Sequence, residues 1–317
     1  IWGPWRDETK DDKALGELLG LKELEIAIES MLKPSVILDI LEHFTIFATD
    51  RRNRRIKIIA RYQQYEGANL IVNRVKESKV KKGLIWHFQG SGKSLLMVFA
   101  AQKLRHLPEL KSPTVLIIVD RIDLDTQITA TFNACDVPNL VATDSRDELE
   151  RLLKQDTRKI IITMMHKFAE SDNVLNDREN IIALVDEAHR TQEGDLARKM
   201  RNALPNAFFF GLTGTPINKR DRNTFRTFSA EEDLTGYLSR YSFEESLRDK
   251  ATLPLHFEPR LLDVHVDREV IDAEFNAMTE TLSEEQRALL VQKAAQMSVF
   301  LKSPERVRKI VEDIVQH

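Results

Sequence analysis

Two rhythms of apolar and polar positions run along this chain, and the change from one to the other marks its organisation. Between residues 13 and 47 apolar positions recur at helical spacing, in "LGELLGLKELEIAIESML" and, after Pro34, in "SVILDILEHFTIF". This spacing predicts two helices. From residue 84 short β-rich runs alternate with amphipathic stretches: "LIWHF" (84–88), "TVLIIVD" (114–120), "KIIITM" (159–164), "IIALVDE" (181–187) and "AFFFGLT" (207–213). Several are apolar throughout, as parallel strands covered by helices on both faces must be. "KSLLMVFAAQKLRHL" and "DELERLLKQ" supply crossover helices, so the expected fold is α/β, a doubly wound parallel sheet with flanking helical segments. After Gly236 the chain has no glycine and its pattern turns mostly helical, with a capping box at Ser283 and Gln286 and a further helix opening at Pro304.

Composition narrows the partners. The 317 residues suffice for roughly two domains, and 42% hydrophobic content gives each a core. With 31% charged residues and a formal net charge of −3, any basic surface must be local. One such concentration is "RRNRRIKIIAR", Arg51 to Arg61, which reads either as a solvated strand or turn or as a contact to a phosphate backbone. The single cysteine, Cys135, excludes an internal disulfide framework and reads as a small buried apolar group. No apolar run approaches the ~18 residues of a membrane span, and the N-terminus carries no basic-then-apolar signal pattern. The expectation is a cytoplasmic chain with no membrane partner. Its start at Ile1 without methionine suggests that an upstream part is missing.

The candidate chemistry begins at "HFQGSGKS" (87–94), which follows an expected strand and precedes an expected helix. Gly90, Ser91 and Gly92 let backbone amides turn toward phosphate oxygens, and the helix start adds its positive dipole end. Lys93 would reach the β- and γ-phosphates of ATP, and Ser94 would offer its hydroxyl to Mg2+. His87 occupies the position where glycine is usual, which is tolerable wherever the local φ is negative. In "ALVDEAHR" an apolar strand delivers two consecutive carboxylates to the sheet edge where α/β proteins bind ligands. Asp186 would hold the hydrated metal and Glu187 would polarise the attacking water.

"DEAH" at 186–189 and "LTGTP" at 212–216 resemble motifs II and III of the superfamily 2 helicases and translocases, built on RecA-like domains. Thr213 and Thr215 would sense His189 and so connect the γ-phosphate to a nucleic-acid surface. The segments "DEAHRTQEGDLARKMRNALPNAFFFGLTGTPI", "VDRIDLDTQI" (119–128), "HFQGSGKSLLM" and "IARYQQYEGAN" (59–69) resemble more closely the motor region of HsdR, the restriction subunit of type I restriction-modification enzymes. That resemblance implies a subunit that hydrolyses ATP to pump double-stranded DNA, works with methyltransferase (M) and specificity (S) subunits, and cuts with a separate nuclease domain. It also implies roles by position. Gln64, with Arg61, would read the adenine edge. Asp120, Arg121 and Gln127 would lie toward the DNA backbone, as would Thr163 and Lys167.

The division that follows places a helical linker at 1–50 after an N-terminal nuclease domain, a first RecA-like ATPase domain at 51–262, and the helical start of an incomplete second RecA-like domain at 263–317. Two departures stand out: residues 1–50 offer no acidic metal cluster for a nuclease, and Lys250 in "YSFEESLRDKATLP" stands where the family more often has glycine. Other readings are a different superfamily 2 motor, remodeller-like or an RNA helicase, and an ATP-binding assembly module inactive by itself.

Overall fold

The computed structural model describes residues 5, 28, 30–49, 52–120, 122–135, 137–143, 145–155, 159–168, 174–188, 194–217, 224–254, 283 and 304–316. The chain divides into two compact units, Ile1–Pro254 and Leu255–His317. The boundary expected at 262 and the helix expected after Ser283 lie outside the described residues.

In the first unit, seven strands form one wholly parallel sheet: β3 (Lys82–His87), β4 (Thr114–Val119), β5 (Leu140–Thr143), β6 (Ile160–Met164), β7 (Ile181–Val185), β8 (Phe208–Thr213) and β9 (Ser239–Tyr241). Their spatial order is β5-β6-β4-β7-β8-β3-β9. All six residues of β4 are buried, and they divide by parity. Val115, Ile117 and Val119 enter one apolar cluster while Leu116 and Ile118 enter the other, which is the pleat with both faces covered. Three of the covering helices are α2 (Tyr62–Glu77), α3 (Lys93–Arg105) and α4 (Arg146–Leu153). In the second unit a helix spans Pro304–Gln316, opening at Pro304 as the sequence predicts. No described helix is long and apolar enough to cross a membrane.

Among the described residues, helical spacing fails at one place. The helix α1 (Pro34–His43) stops where the pattern runs on to 47, and Thr45–Thr49 is instead β1, paired antiparallel with β2 (Arg55–Ile59). Residues 1–50 are therefore not helical throughout. Ile46 and Ala48 point into the core while Phe47 and Thr49 stay out, a period-two alternation that four residues cannot distinguish from a helical turn. The Thr45 hydroxyl donates to the Ile40 carbonyl at 2.9 Å and closes the corner between helix and strand. Two short strands, β5 and β9, carry too few residues to register as a pattern.

Candidate functional site

Parallel strands place all their C-terminal ends on one side, and β7, β8 and β3 are consecutive in the sheet. The turns after these three strands therefore meet. The first is the glycine-rich loop between β3 and α3. Gly90 and Gly92 take φ of 83° and 88°, a region in which a side chain is strained. At Gly92 a Cβ would also lie 2.2 Å from Gln64 Nε2. His87 is not among the positive-φ residues, so its side chain costs the turn nothing. It is fully buried, its Nε2 lies 2.8 Å from Ser239 Oγ, and its ring meets Tyr241 edge-on at 6.0 Å. Burial, with help from the Lys93 ammonium, pushes its pKa down to about 3 and keeps the imidazole neutral. Lys93 Nζ donates to the His87 carbonyl at 3.3 Å.

The second turn carries the carboxylates. Asp186 is buried, its backbone N–H donates to Ile118 at 2.8 Å, and burial followed by repulsion from Glu187 raises its pKa to about 6, against the opposing pull of Lys93. Lys93 in turn is lowered by burial and raised by Asp186 and Glu187. This mutual influence is the electrostatic sign that loop and carboxylates share one site. Glu187 sits at φ 47°, left-handed without being glycine, a conformation that costs about 1–3 kcal/mol and gathers at functional sites. The third turn closes the set: Ala188 N–H donates to Leu212 at 2.9 Å, the Thr215 N–H to Thr213 Oγ1 at 3.1 Å, and Trp86 Nε1 to the Gly214 carbonyl at 3.2 Å. A Cβ on Gly214 would lie 3.2 Å from the Gln89 nitrogen and 3.4 Å from Lys93 Nζ.

Would these residues suit a magnesium ion? Among the described residues no three His, Cys, Asp or Glu side chains group to hold a metal. Mg2+ does not need such a cage, since it keeps waters and binds through one or two carboxylates plus phosphate oxygens. Asp186 Oδ1 is buried without a hydrogen-bond partner among the described residues, and so is Ser91 Oγ. Half-buried Ser94 opens the same helix as Lys93. This donor set fits a nucleotide-bound Mg2+.

Other expectations need correction. Gln64 is buried with both ends of its amide engaged within the protein: Oε1 accepts from the Arg61 backbone N–H at 2.9 Å and Nε2 donates to the Gly92 carbonyl at 3.1 Å. These contacts make it a brace of the glycine-rich loop and occupy one donor and one acceptor of the amide; neighbouring Gln63, also buried, donates to the Ser91 carbonyl at 3.5 Å. Thr163 is fully buried on β6 and cannot face DNA. All five residues of β6 are buried, so the strand has no solvent side. Asp120 stands half-buried just past β4, Lys167 is half-buried, Arg61 and Thr215 are exposed, and Thr213 is buried. Arg121, His189 and the side chain of Gln127 lie outside the described residues. Cys135 is buried. Sequence reading missed Gln63 as a brace and missed Ser239 and Tyr241 altogether, because their partners lie far along the chain and leave no local signal.

The SWI2/SNF2 ATPase family matches residues 63–288. The chain is 34% identical to the "Type I restriction enzyme HindI endonuclease subunit" of Haemophilus influenzae, over 99% of this chain and 31% of that protein. It is 31% identical to the "Putative type I restriction enzyme MjaIXP endonuclease subunit" of Methanocaldococcus jannaschii, over 93% of this chain and 28% of that protein. The chain thus spans about a third of the length of these relatives. Among solved structures, the "Sulfolobus solfataricus SWI2/SNF2 ATPase core in complex with dsDNA" aligns with a TM-score of 0.42 at 16% identity, over 63% of this chain and 39% of that one, an overlap too slight to carry an argument.

Proposed function

Since the chain belongs to the SWI2/SNF2 ATPase family and its relatives are endonuclease subunits of type I restriction enzymes, we propose that it is the ATP-driven double-stranded DNA translocase portion of such a subunit. The observation that carries this reading is the convergence of Lys93, Asp186 and the Thr213–Thr215 turn at the ends of three adjacent strands. Bound Mg2+ would neutralise charge developing on the phosphates. Asp186 and Ser94 would hold it, with Lys93 and the amides of Gly90 to Gly92 on the phosphate oxygens. Glu187 would orient and polarise the attacking water, and Thr213 and Thr215 would report the γ-phosphate state through His189. Asp120, Arg121, Gln127 and Lys167 would form the DNA side, with Arg121, Gln127 and Lys167 gripping phosphates because a pump must hold any sequence equally.

In the parent protein the partners would be double-stranded DNA and the M and S subunits of a cytoplasmic restriction complex, with cleavage by a separate nuclease domain. The 317 residues alone would bind ATP yet turn it over negligibly, since an arginine from a second RecA-like domain is worth ~10³–10⁵ in rate. The test is DNA-stimulated ATP hydrolysis by the intact subunit: Lys93→Ala and Glu187→Gln should each abolish it, and undiminished turnover in either variant refutes the role assigned to that residue. Triplex displacement without strand unwinding is the expected outcome for a pump; unwinding of short RNA duplexes would favour a helicase.

A further inference from the structure

The segment by which the chain leaves the first unit is tied to the phosphate loop through one buried carboxylate. The short helix α5 (Phe243–Arg248) opens with a Ser242–Glu245 capping box and ends at Asp249 and Lys250. Lys250 adopts φ 54°, so the turn keeps the left-handed geometry for which glycine is usual. The Asp249 side chain is only 3% exposed. Two hydroxyls donate to its Oδ2: Tyr62 at 2.8 Å and Tyr241 at 3.1 Å. The Arg248 guanidinium lies 3.8 Å from Asp249 Oδ1, and a carboxylate so deeply placed also draws on hydroxyl donors, so it holds both tyrosines.

Those tyrosines lead in different directions. Tyr241 belongs to β9, and its backbone carbonyl accepts from Phe88 N–H at 2.8 Å beside the loop. Tyr62 is the first residue of α2, and the next two are Gln63 and Gln64, whose amides donate to the Ser91 and Gly92 carbonyls. The loop carbonyls are thus held from the start of α2, and the start of α2 is held by Asp249.

We propose that Asp249 is a positioning residue of the nucleotide site, acting through Tyr62 and the Gln63–Gln64 brace to set the phosphate loop in its binding geometry. The proposal rests on the ATP-binding reading above. It makes the exit from the first unit part of the nucleotide site, 156 residues along the chain from Lys93 (249 − 93 = 156). The loop's amides point at phosphate only while its carbonyls are held back, so loosening the brace weakens the nucleotide without touching any group that contacts it.

The test is the affinity of the 317-residue chain for a fluorescent ATP analogue with Mg2+, measured beside its circular dichroism and thermal midpoint. Asp249→Asn and Tyr62→Phe should each weaken binding about tenfold, the scale of one buried charge-assisted hydrogen bond. Tyr241→Phe should weaken it less, because Tyr241 does not lie on the helix that carries the glutamines; a purely structural role for Asp249 would move both hydroxyl variants alike. Asp249→Asn combined with Gln64→Ala should be no weaker than the worse single variant, the signature of residues acting in series. Unchanged affinity in folded Asp249→Asn, or losses that multiply in the double variant, overturns the proposal. If Asp249→Asn does not fold, Tyr62→Phe, which keeps the carboxylate and the Tyr241 donor, decides the matter alone. A wild-type chain that binds no nucleotide would instead sink the ATPase reading, and this proposal with it.

Discussion

At the residue scale, two buried titratable groups, Asp186 and His87, pull the pH dependence in opposite directions. Asp186 has its pKa raised from 3.8 to about 6, so the folded chain holds a proton that the unfolded chain has already lost, and this group's contribution to stability declines as pH rises through that window. His87 has its pKa lowered from 6.5 to about 3, so its contribution declines as pH falls below 6.5. Between roughly pH 4 and 6 the two largely offset each other. Asp186→Asn removes one side, and urea unfolding should then reveal a loss of up to about 1.4 kcal/mol per pH unit on acidification that wild type does not display; parallel pH profiles would contradict the assignment. Binding responds too. If Asp186 holds Mg2+ as proposed, the nucleotide's affinity should drop as pH is lowered through about 6 and lose that dependence in Asp186→Asn. The unusual His87 was legible in sequence, but its neutrality was not, because that comes from its burial in the folded chain and from the nearby Lys93 ammonium.

At the element scale, the hairpin β1–β2 departs from the helical spacing of the segment before it and carries the exposed basic cluster. Arg52, Arg54, Arg55 and Lys57 are all exposed, and the register sets Lys57 opposite Phe47 and Arg55 opposite Thr49. The Arg55 guanidinium lies over the Phe47 ring at 5.2 Å, which orders it. If this face meets a phosphate backbone, replacing Arg52, Arg54, Arg55 and Lys57 by alanine should weaken duplex DNA binding for all sequences alike and flatten its salt dependence by roughly one logarithmic unit for each phosphate no longer neutralised. Equal affinities and equal salt slopes would leave the hairpin a solvated surface. By contrast β4, β6, β7 and β8 were plain from sequence, because a strand covered on both faces is built almost wholly of apolar residues, the exceptions here being the buried Thr114, Thr163 and Thr213. β9 was not, since three residues at a sheet edge carry no period.

At the scale of the whole molecule, the two units carry different loads. The first holds the phosphate loop, the acidic turn and the threonine turn on one sheet. If the chain is the translocase portion proposed above, the arginine that stabilises the transition-state charge comes from a second domain, and steady-state ATP hydrolysis by the 317 residues with DNA should stay below about 1 per second. A faster rate would show that no further domain is required. Mixing in the remainder of the parent subunit should restore turnover if the reading is right.

Sequence alone determined the parallel α/β class, the loop at 87–94 and the carboxylates at 186 and 187, because each is written in consecutive residues whose spacing local physics reads directly. It could not determine that β8 lies between β3 and β7, that Gln64 is turned inward onto Gly92, or that Asp249 lies beneath Tyr62. Such facts depend on which distant segments pack together. Burial decides them, and burial belongs to the folded chain as a whole.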